Sequence, residues 1–581
     1  MKLLVANRGE IAIRIIRAAA ELNIPTVSVY PEDDASSLHT AKADETALIE
    51  GLGTAAYLNI EQIISAAQAA GCDAVHPGYG FLAENAEFAK RCEDAHLTWV
   101  GPHVEMLELF GDKARAREAA SKSNVPIIRG LDHAVALDEA TTFFQELGEG
   151  SSMMIKAIGG GGGRGSRVVT SLSDLETTYE RCRTEALAAF GNGDVYVEEF
   201  IQRARHIEIQ IMADRHGNVA HLGERECSVQ RNFQKIIEVA PAPMLESGLR
   251  NHMIEAAVML ATDVGYTSAG TFEFLVDISG KSNSQPFAFI EANARLQVEH
   301  TVTEEVTGID IVKSQLKIAE GATLSEIGLG DPSVSEANGF AIQARVCMES
   351  ANEDGTFHPT SGTLTAYEAP SGPGIRTDGF GYSGYETSLL FDSLLAKVIG
   401  HSRTSDYGDA ITRISRALSE FRIEGVDTNI SFLQAILNQE AFANSTIHTR
   451  FIDEEISQLL GISQTTNPQF IKPVSANDEG FAGAQVSDAA DPLALFSHDA
   501  NVKSQETVDE ENSDANPHII EAIAQGQVLT IGVDLGEEVT VGQPLLTIES
   551  LELHHVMRST TAGIVHAIPV ATGETVDIGR R

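Results

Sequence analysis

The chain has 581 residues, a formal net charge of −42, 43% apolar residues and 18 prolines. At about 150 residues per domain, that length implies about four units, and the composition is globular. The acidic balance excludes nucleic acid as a partner, because no Lys/Arg cluster supplies the basic face a phosphate backbone needs. The apolar runs are too short to span a bilayer.

The first residues, MKLLVANRGEIAIRIIRAAAEL, lack the apolar stretch and small-residue cleavage site of a signal peptide, so a cytoplasmic location is expected. Cys72, Cys92, Cys182, Cys227 and Cys347 are odd in number and widely spaced, which predicts reduced thiols and no zinc site. Short apolar strands, KLLVA, TVSVY, CDAVH and LTWVG, alternate with helical patterns such as Ile11, Ile15, Ala18 and Leu22. They predict a doubly wound α/β domain over 1–112. A mixed α+β region follows, carrying the strand-rich RHIEIQIMAD, FEFLVD, FAFIEANARLQVEH and GFAIQARVCM.

Between 474 and 516 there are ten Asp or Glu against the single Lys503, so this stretch buries too little apolar surface to offset the entropy of ordering and is expected to be a flexible linker. In the tail, EEVTVG (537–542) returns as ETVDIG (574–579), which predicts a small pseudo-symmetric β-sandwich.

Two stretches carry chemistry. In KAIGGGGGRG, Lys156 precedes five glycines whose bare backbone can cradle phosphate oxygens. The GxGxxG match within it lacks a βαβ context, and GKS at 280–282 lacks the first glycine of a P-loop. In FIEANARLQVEH, Glu291, Asn293, Arg295, Gln297 and Glu299 recur at a spacing of two; on a β-strand all five would share one face. Glu273 lies on a comparable strand, and Glu273 with Glu291 could hold a hard divalent cation such as Mg²⁺ or Mn²⁺.

Together with VANRGEIA, HPGYGFLAEN and GERECSVQRNFQK, these motifs make residues 1 to about 450 resemble biotin carboxylase, the ATP-grasp component of biotin-dependent carboxylases. The resemblance implies an ATP-grasp domain over 113–320 with a mobile lid at about 130–205, a C-terminal domain over 321–460, a linker over 461–517 and a biotinyl-like sandwich over 518–581. It implies Lys113, Lys156, Gly162 and Gly163 at the ATP phosphates, Glu198 and Ile201 at the adenine edge, and His206 and Gln230 near the ribose. Glu273, Glu291 and Asn293 match the metal site. Lys235, Arg295, Gln297, Val298 and Glu299 match the bicarbonate site, with Glu299 as general base; Tyr79 and Arg345 match positions around biotin.

Three departures stand out: Phe233 replaces a histidine near the nucleotide, Ser166 replaces a methionine, and Thr301 replaces a proline. In the tail, ESLELHH has Glu552 where the related carrier turn has the lysine that bears biotin, and no lysine follows Lys503. The expectation drawn from this is no covalent biotin on this chain. Biotin would instead arrive on a carrier protein in trans, within a complex that includes a carboxyltransferase subunit and a homodimer of this chain. The function expected is ATP- and bicarbonate-dependent carboxylation of biotin; the alternative is a catalytically reduced, nucleotide-binding regulatory or scaffold subunit.

Overall fold

A computed structural model describes residues 1–131, 133–148, 150–158, 165–279, 286–331, 336–352, 354–463, 469–470, 520, 522, 526–550, 553–572 and 574–576, and the chain divides into two compact units, Met1–Lys472 and Pro473–Arg581. Among the described residues no helix is long and apolar enough to cross a membrane, and all five cysteines are free thiols.

The first unit opens with β1 (Leu3–Val5), α1 (Gly9–Glu21), β2 (Thr26–Tyr30), β3 (Glu45–Leu48), β4 (Ala74–His76) and β5 (Thr98–Trp99). The strands form a parallel sheet in the order β3-β2-β1-β4-β5. Successive side chains of a strand point to opposite faces. Leu4, Val27 and Val75 accordingly enter one core and Leu3, Val5 and Ala74 another, so the sheet is covered on both sides as a doubly wound domain requires.

The expected lid is a small sheet of its own. Its strands are β6 (Gly130–Leu131), β7 (Met153–Ala157), β8 (Ser166–Val169) and β9 (Val195–Glu199), in the order β6-β9-β7-β8. Helices α2 (Leu137–Leu147) and α3 (Leu172–Phe190) close its core over Phe143, Ile155, Tyr179 and Val197. Residues 159–164 of the glycine run, including Gly162 and Gly163, lie outside the described residues.

The centre is one eight-stranded sheet built from β10 (Ala204–Ala213), β11 (Val219–Arg231), β12 (Gln234–Ala240), β13 (Ser268–Asp277), β14 (Phe287–Asn293), β15 (Phe340–Cys347), β16 (Ile375–Gly379) and β17 (Leu394–Ser402). Its order is β14-β13-β10-β11-β12-β15-β17-β16, so it runs unbroken through residue 320 by pairing β12 with β15. Helix α4 (His300–Thr307) follows β14. The last helix of the unit, Phe451–Ser463, extends past residue 461; apart from 469–470, the linker beyond it lies outside the described residues.

The second unit has β18 (Gly526–Ile531), β19 (Glu538–Val539), β20 (Pro544–Ser550), β21 (Leu553–Arg558), β22 (Gly563–Ile564) and β23 (Thr575–Val576). They form two sheets, β21-β20-β18-β23 and β19-β22. The internal repeat extends to the hydrogen bonds. The Asp534 amide donates to the Glu537 carboxylate at 2.9 Å, and 37 residues on, the Ala571 amide donates to Glu574 at the same distance. Val539 and Val576, equivalent in the repeat, are both buried. Glu552 lies outside the described residues.

Candidate active site

Register across the large sheet assembles the site. Arg225 on β11 stands opposite Glu208 on β10, Glu208 opposite Glu273 on β13, and Glu273 opposite Glu291 on β14. Directly opposed residues of antiparallel strands share a face, so these four form a row, and three neighbouring carboxylates there need cations to answer them.

Lys235, entering from β12, supplies the first. Its ammonium donates to Glu208 at 2.6 Å, Glu273 at 2.9 Å and Glu299 at 2.8 Å. Arg225, fully buried, is ion-paired with Glu208 and donates to Gln210 at 2.8 Å, Thr303 at 2.9 Å and Thr271 at 3.1 Å. Arg345 donates to Glu238 at 2.6 Å and to Glu299 at 3.1 Å. Burial alone would raise the Glu299 carboxyl, but the charges of Lys235, Arg345 and Arg225 outweigh it and hold that group well below the ordinary carboxylate range. Glu273 is likewise lowered against its burial, by Lys235 and His206. Burial would lower the Lys235 ammonium; the three carboxylates instead raise it well above its ordinary value.

The five residues at a spacing of two are not all on a strand, which corrects the sequence reading. β14 ends at Asn293, and Arg295, Gln297 and Glu299 lie on the loop into α4. They converge by hydrogen bonding instead. Asn293 and Gln297 donate to one oxygen of Glu273 at 2.7 and 3.0 Å, while Arg295 donates to Asn293 and Gln297 at 3.0 Å each. Arg295 also pairs with Glu84 at 3.0 Å. Glu299 occupies the N-cap position of α4 without capping it, because Lys235 and Arg345 engage its carboxylate. Thr301, the departure from proline, donates its hydroxyl to Gln343, which donates to Glu238 at 2.9 Å. That threonine is part of the network that holds Arg345.

On the lid side, Lys156 is ion-paired with Glu198, and burial opposing that pair still leaves the ammonium raised. Lys113, Arg117, Tyr196 and Ile158 line a cavity of about 180 Å³. Burial lowers the Lys113 ammonium, with the Glu291 charge acting against it. His206 meets Glu273 through Nε2 at 2.7 Å and Gln230 through Nδ1 at 2.7 Å. Ile201 is half-buried just after β9. Val298 offers its carbonyl to Lys397 at 3.0 Å, and Tyr79 donates its hydroxyl to Glu10. Glu273 and Glu291, directly opposed with Asn293 beside them, present the oxygen donors that Mg²⁺ or Mn²⁺ prefers.

Phe233 is 54% exposed at the tip of the β11–β12 hairpin. Asn232 and Phe233 have φ of +50° and +62°, a two-residue turn that favours Asn-Gly. Phe233→Gly is therefore expected to stabilise the first unit by about 0.5–1 kcal/mol, relief of left-handed strain exceeding the added chain entropy. The urea midpoint, followed by fluorescence of the single tryptophan, Trp99, checks this; a lower midpoint would show that the ring contributes more than the strain costs.

A long antiparallel sheet bearing carboxylates, with a separate lid sheet carrying lysine, defines the ATP-grasp class. Residues 1–107 match the family biotin carboxylase, N-terminal domain; 112–327 match carbamoyl-phosphate synthase L chain, ATP binding domain; 343–454 match biotin carboxylase C-terminal domain; and 515–581 match biotin-requiring enzyme. The biotin carboxylase domain of the Hydrogenobacter thermophilus 2-oxoglutarate carboxylase, solved with MgADP, ADP and bicarbonate, is 41% identical with a TM-score of 0.74, over 79% of this chain and 98% of that one. The chain belongs to the biotin carboxylase family. The mitochondrial pyruvate carboxylase of Mus musculus is 49% identical over 465 residues, 79% of this chain, and the chain spans 38% of the length of that relative. A single-chain, multi-domain long-chain acyl-CoA carboxylase is 36% identical with a TM-score of 0.69, over 100% of this chain and 50% of that one.

These matches correct the expectations for biotin and partners. The lysine missing at Glu552 suggested a chain without covalent biotin, served by a carrier in trans and a separate carboxyltransferase subunit. Residues 515–581 instead match the biotin-requiring enzyme family, and one match that covers the whole chain is to a single-chain, multi-domain carboxylase. The biotin domain belongs to this chain.

Proposed function

We propose that this chain carries out ATP-dependent carboxylation of biotin by bicarbonate, the first half-reaction of a biotin-dependent carboxylase. The observation that carries this reading is that Lys235 and Arg345 both donate to Glu299, at the end of the loop on which Arg295 holds Gln297. Lys235 and Arg345 are cations that a small anion could engage, and both are bonded to a carboxylate able to act as base.

Phosphoryl transfer asks a protein mainly for positioning and charge neutralisation. Lys113 and Lys156 would hold the ATP phosphates, and Glu273, Glu291 and Asn293 would hold Mg²⁺, which when bound draws charge from the phosphate oxygens. Arg295, Gln297 and Lys235 would grip bicarbonate. Glu299 would take its proton so that the anion attacks the γ-phosphate and forms carboxyphosphate. In the ligand-free arrangement, the cations around Glu299 make it a weak base. Bicarbonate recruiting Lys235 and Arg345 would release part of that hold and raise its basicity when the substrate is in place. Arg345 and Tyr79 would then face the biotin ring. Biotin is the carboxyl acceptor in this half-reaction; the later transfer, to a keto acid or an acyl-CoA, lies outside this site.

The test is ADP release by the full chain with Mg²⁺ and ATP, with and without bicarbonate and free biotin. Turnover that needs bicarbonate and rises with biotin is the expected result. Nucleotide binding without biotin-stimulated turnover would overturn the reading in favour of a regulatory or scaffold role.

A further inference from the structure

Lys397, on β17, is fully buried, and no step proposed above uses it. It is the direct cross-strand neighbour of Arg345 on β15 and of Asp378 on β16, so it lies on the same sheet face as the arginine that touches Glu299. Its ammonium donates to the Val298 carbonyl at 3.0 Å and pairs with Glu10 at 3.0 Å. Glu10, itself 3% exposed, lies in the first turn of α1 and accepts the hydroxyl of Tyr79. The Tyr79 ring lies 5.8 Å from the Lys397 nitrogen. Asp378 is held separately by Arg376, at 2.7 Å.

A charge with no exposure is costly unless paired, and here the pairing joins three distant parts of the sequence. Through one nitrogen and one carboxylate, the HPGYG loop, α1 and the loop carrying Arg295 to Glu299 are tied together. Val298 is the residue before Glu299. With the carbonyl of Val298 fixed by Lys397 and the carboxylate of Glu299 fixed by Lys235 and Arg345, the rotation available to Glu299 is restricted on both sides.

We propose that the buried Glu10–Lys397 pair is a positioning device for the carboxylation site: Lys397 sets the Val298–Glu299 backbone, and Glu10 aligns Tyr79 with it. The inference rests on the function proposed above. Neither residue touches a reacting atom; both act through Val298, Glu299 and Tyr79.

The experiment compares the full chain with Lys397→Met, the double variant Glu10→Gln/Lys397→Met, and Lys397→Arg. Each is assayed for bicarbonate- and biotin-dependent ADP release and for thermal melting. Lys397→Met strands a buried carboxylate and is expected to melt earlier; the double variant, with both charges gone, is expected to recover most of that loss. A merely structural pair predicts that activity recovers with it. The positioning role predicts that the double variant keeps a loss of about 10- to 100-fold in kcat/KM for bicarbonate, the size of one charge-assisted hydrogen bond, while KM for ATP changes less than about twofold.

Lys397→Arg keeps the charge but cannot place one compact ammonium on both partners, so it should melt between the unmodified chain and Lys397→Met and still raise KM for bicarbonate. If the double variant does not fold, Lys397→Arg alone decides. Wild-type kinetics in either folded variant, or a loss spread equally onto KM for ATP, would overturn the positioning role. Absence of bicarbonate-dependent turnover in the unmodified chain would overturn the functional reading instead, so the two failures are distinguishable.

Discussion

Glu299→Gln is expected to lower bicarbonate-dependent ADP release by about 10²- to 10⁴-fold, the range for removing a positioned general base, and to leave nucleotide binding close to unchanged. The amide is isosteric, and its single oxygen can accept from Lys235 or from Arg345 but not from both, since the two cations use different oxygens of Glu299; the side chain keeps its place while the capacity to take a proton is lost. Glu299→Asp keeps the carboxylate and should recover part of the rate. Equal losses in both variants would show that the packing of the longer side chain matters more than its basicity. Because the folded-state pKa of Glu299 is depressed, its contribution to stability is present above the ordinary carboxylate pKa and is lost only as pH falls through the depressed value. The same sign applies to activity in the free enzyme. Glu299 stays ionised through neutral pH, and any acid limb it contributes to kcat/KM lies below the ordinary carboxylate range. An acid limb near neutrality that vanishes in Glu299→Gln would contradict this assignment.

Local pattern carried the sequence reading further than it carried the site. The alternation of β1 to β5 with helical stretches suffices for a doubly wound domain, since period and length are local properties. The repeat in the tail was visible for the same reason, and Asp534–Glu537 and Ala571–Glu574 show it in matching hydrogen bonds. Periodicity misled where a strand ended: Arg295, Gln297 and Glu299 keep a spacing of two beyond Asn293, the last paired residue of β14, and no residue type in ANARLQVEH marks the exit. What brings Asn293 and Gln297 together is Glu273, which accepts from both.

Glu208, Arg225 and Glu238 were not singled out from the sequence, although all three are buried charges beside the proposed base. One signal was available. In RHIEIQIMAD the polar residues His206, Glu208 and Gln210 alternate with Ile207, Ile209 and Ile211, and a polar row along a strand with so little exposure must answer another polar row. Which partner answers it is set by the register of β10 with β11 and β13. Register depends on how whole strands pair and twist, so it cannot be read from either strand alone. The glutamate at position 552 shows the opposite limit: one residue outweighed the family character of the segment around it.

Arg225→Met is expected to destabilise the first unit by about 3–5 kcal/mol, the cost of breaking a buried ion pair by removing one partner. No other side chain could replace it. Its guanidinium answers Glu208, Gln210, Thr271 and Thr303 at once, and Lys235, the other cation on Glu208, is already shared with Glu273 and Glu299. Methionine fills much of the volume, so the loss comes from the stranded Glu208 carboxylate more than from a cavity. Urea unfolding followed through Trp99, which is buried in the N-terminal sheet against Phe88, reads this unit directly. The double variant Glu208→Leu/Arg225→Met removes both charges and should recover most of the stability, since an apolar pair of similar volume often substitutes for a buried ion pair. It should not recover activity, because Lys235 would then divide its ammonium between Glu273 and Glu299 alone, tightening its hold on the base that the reaction needs free. A double variant that is both stable and fully active would show that the row of charges behind Lys235 serves folding only.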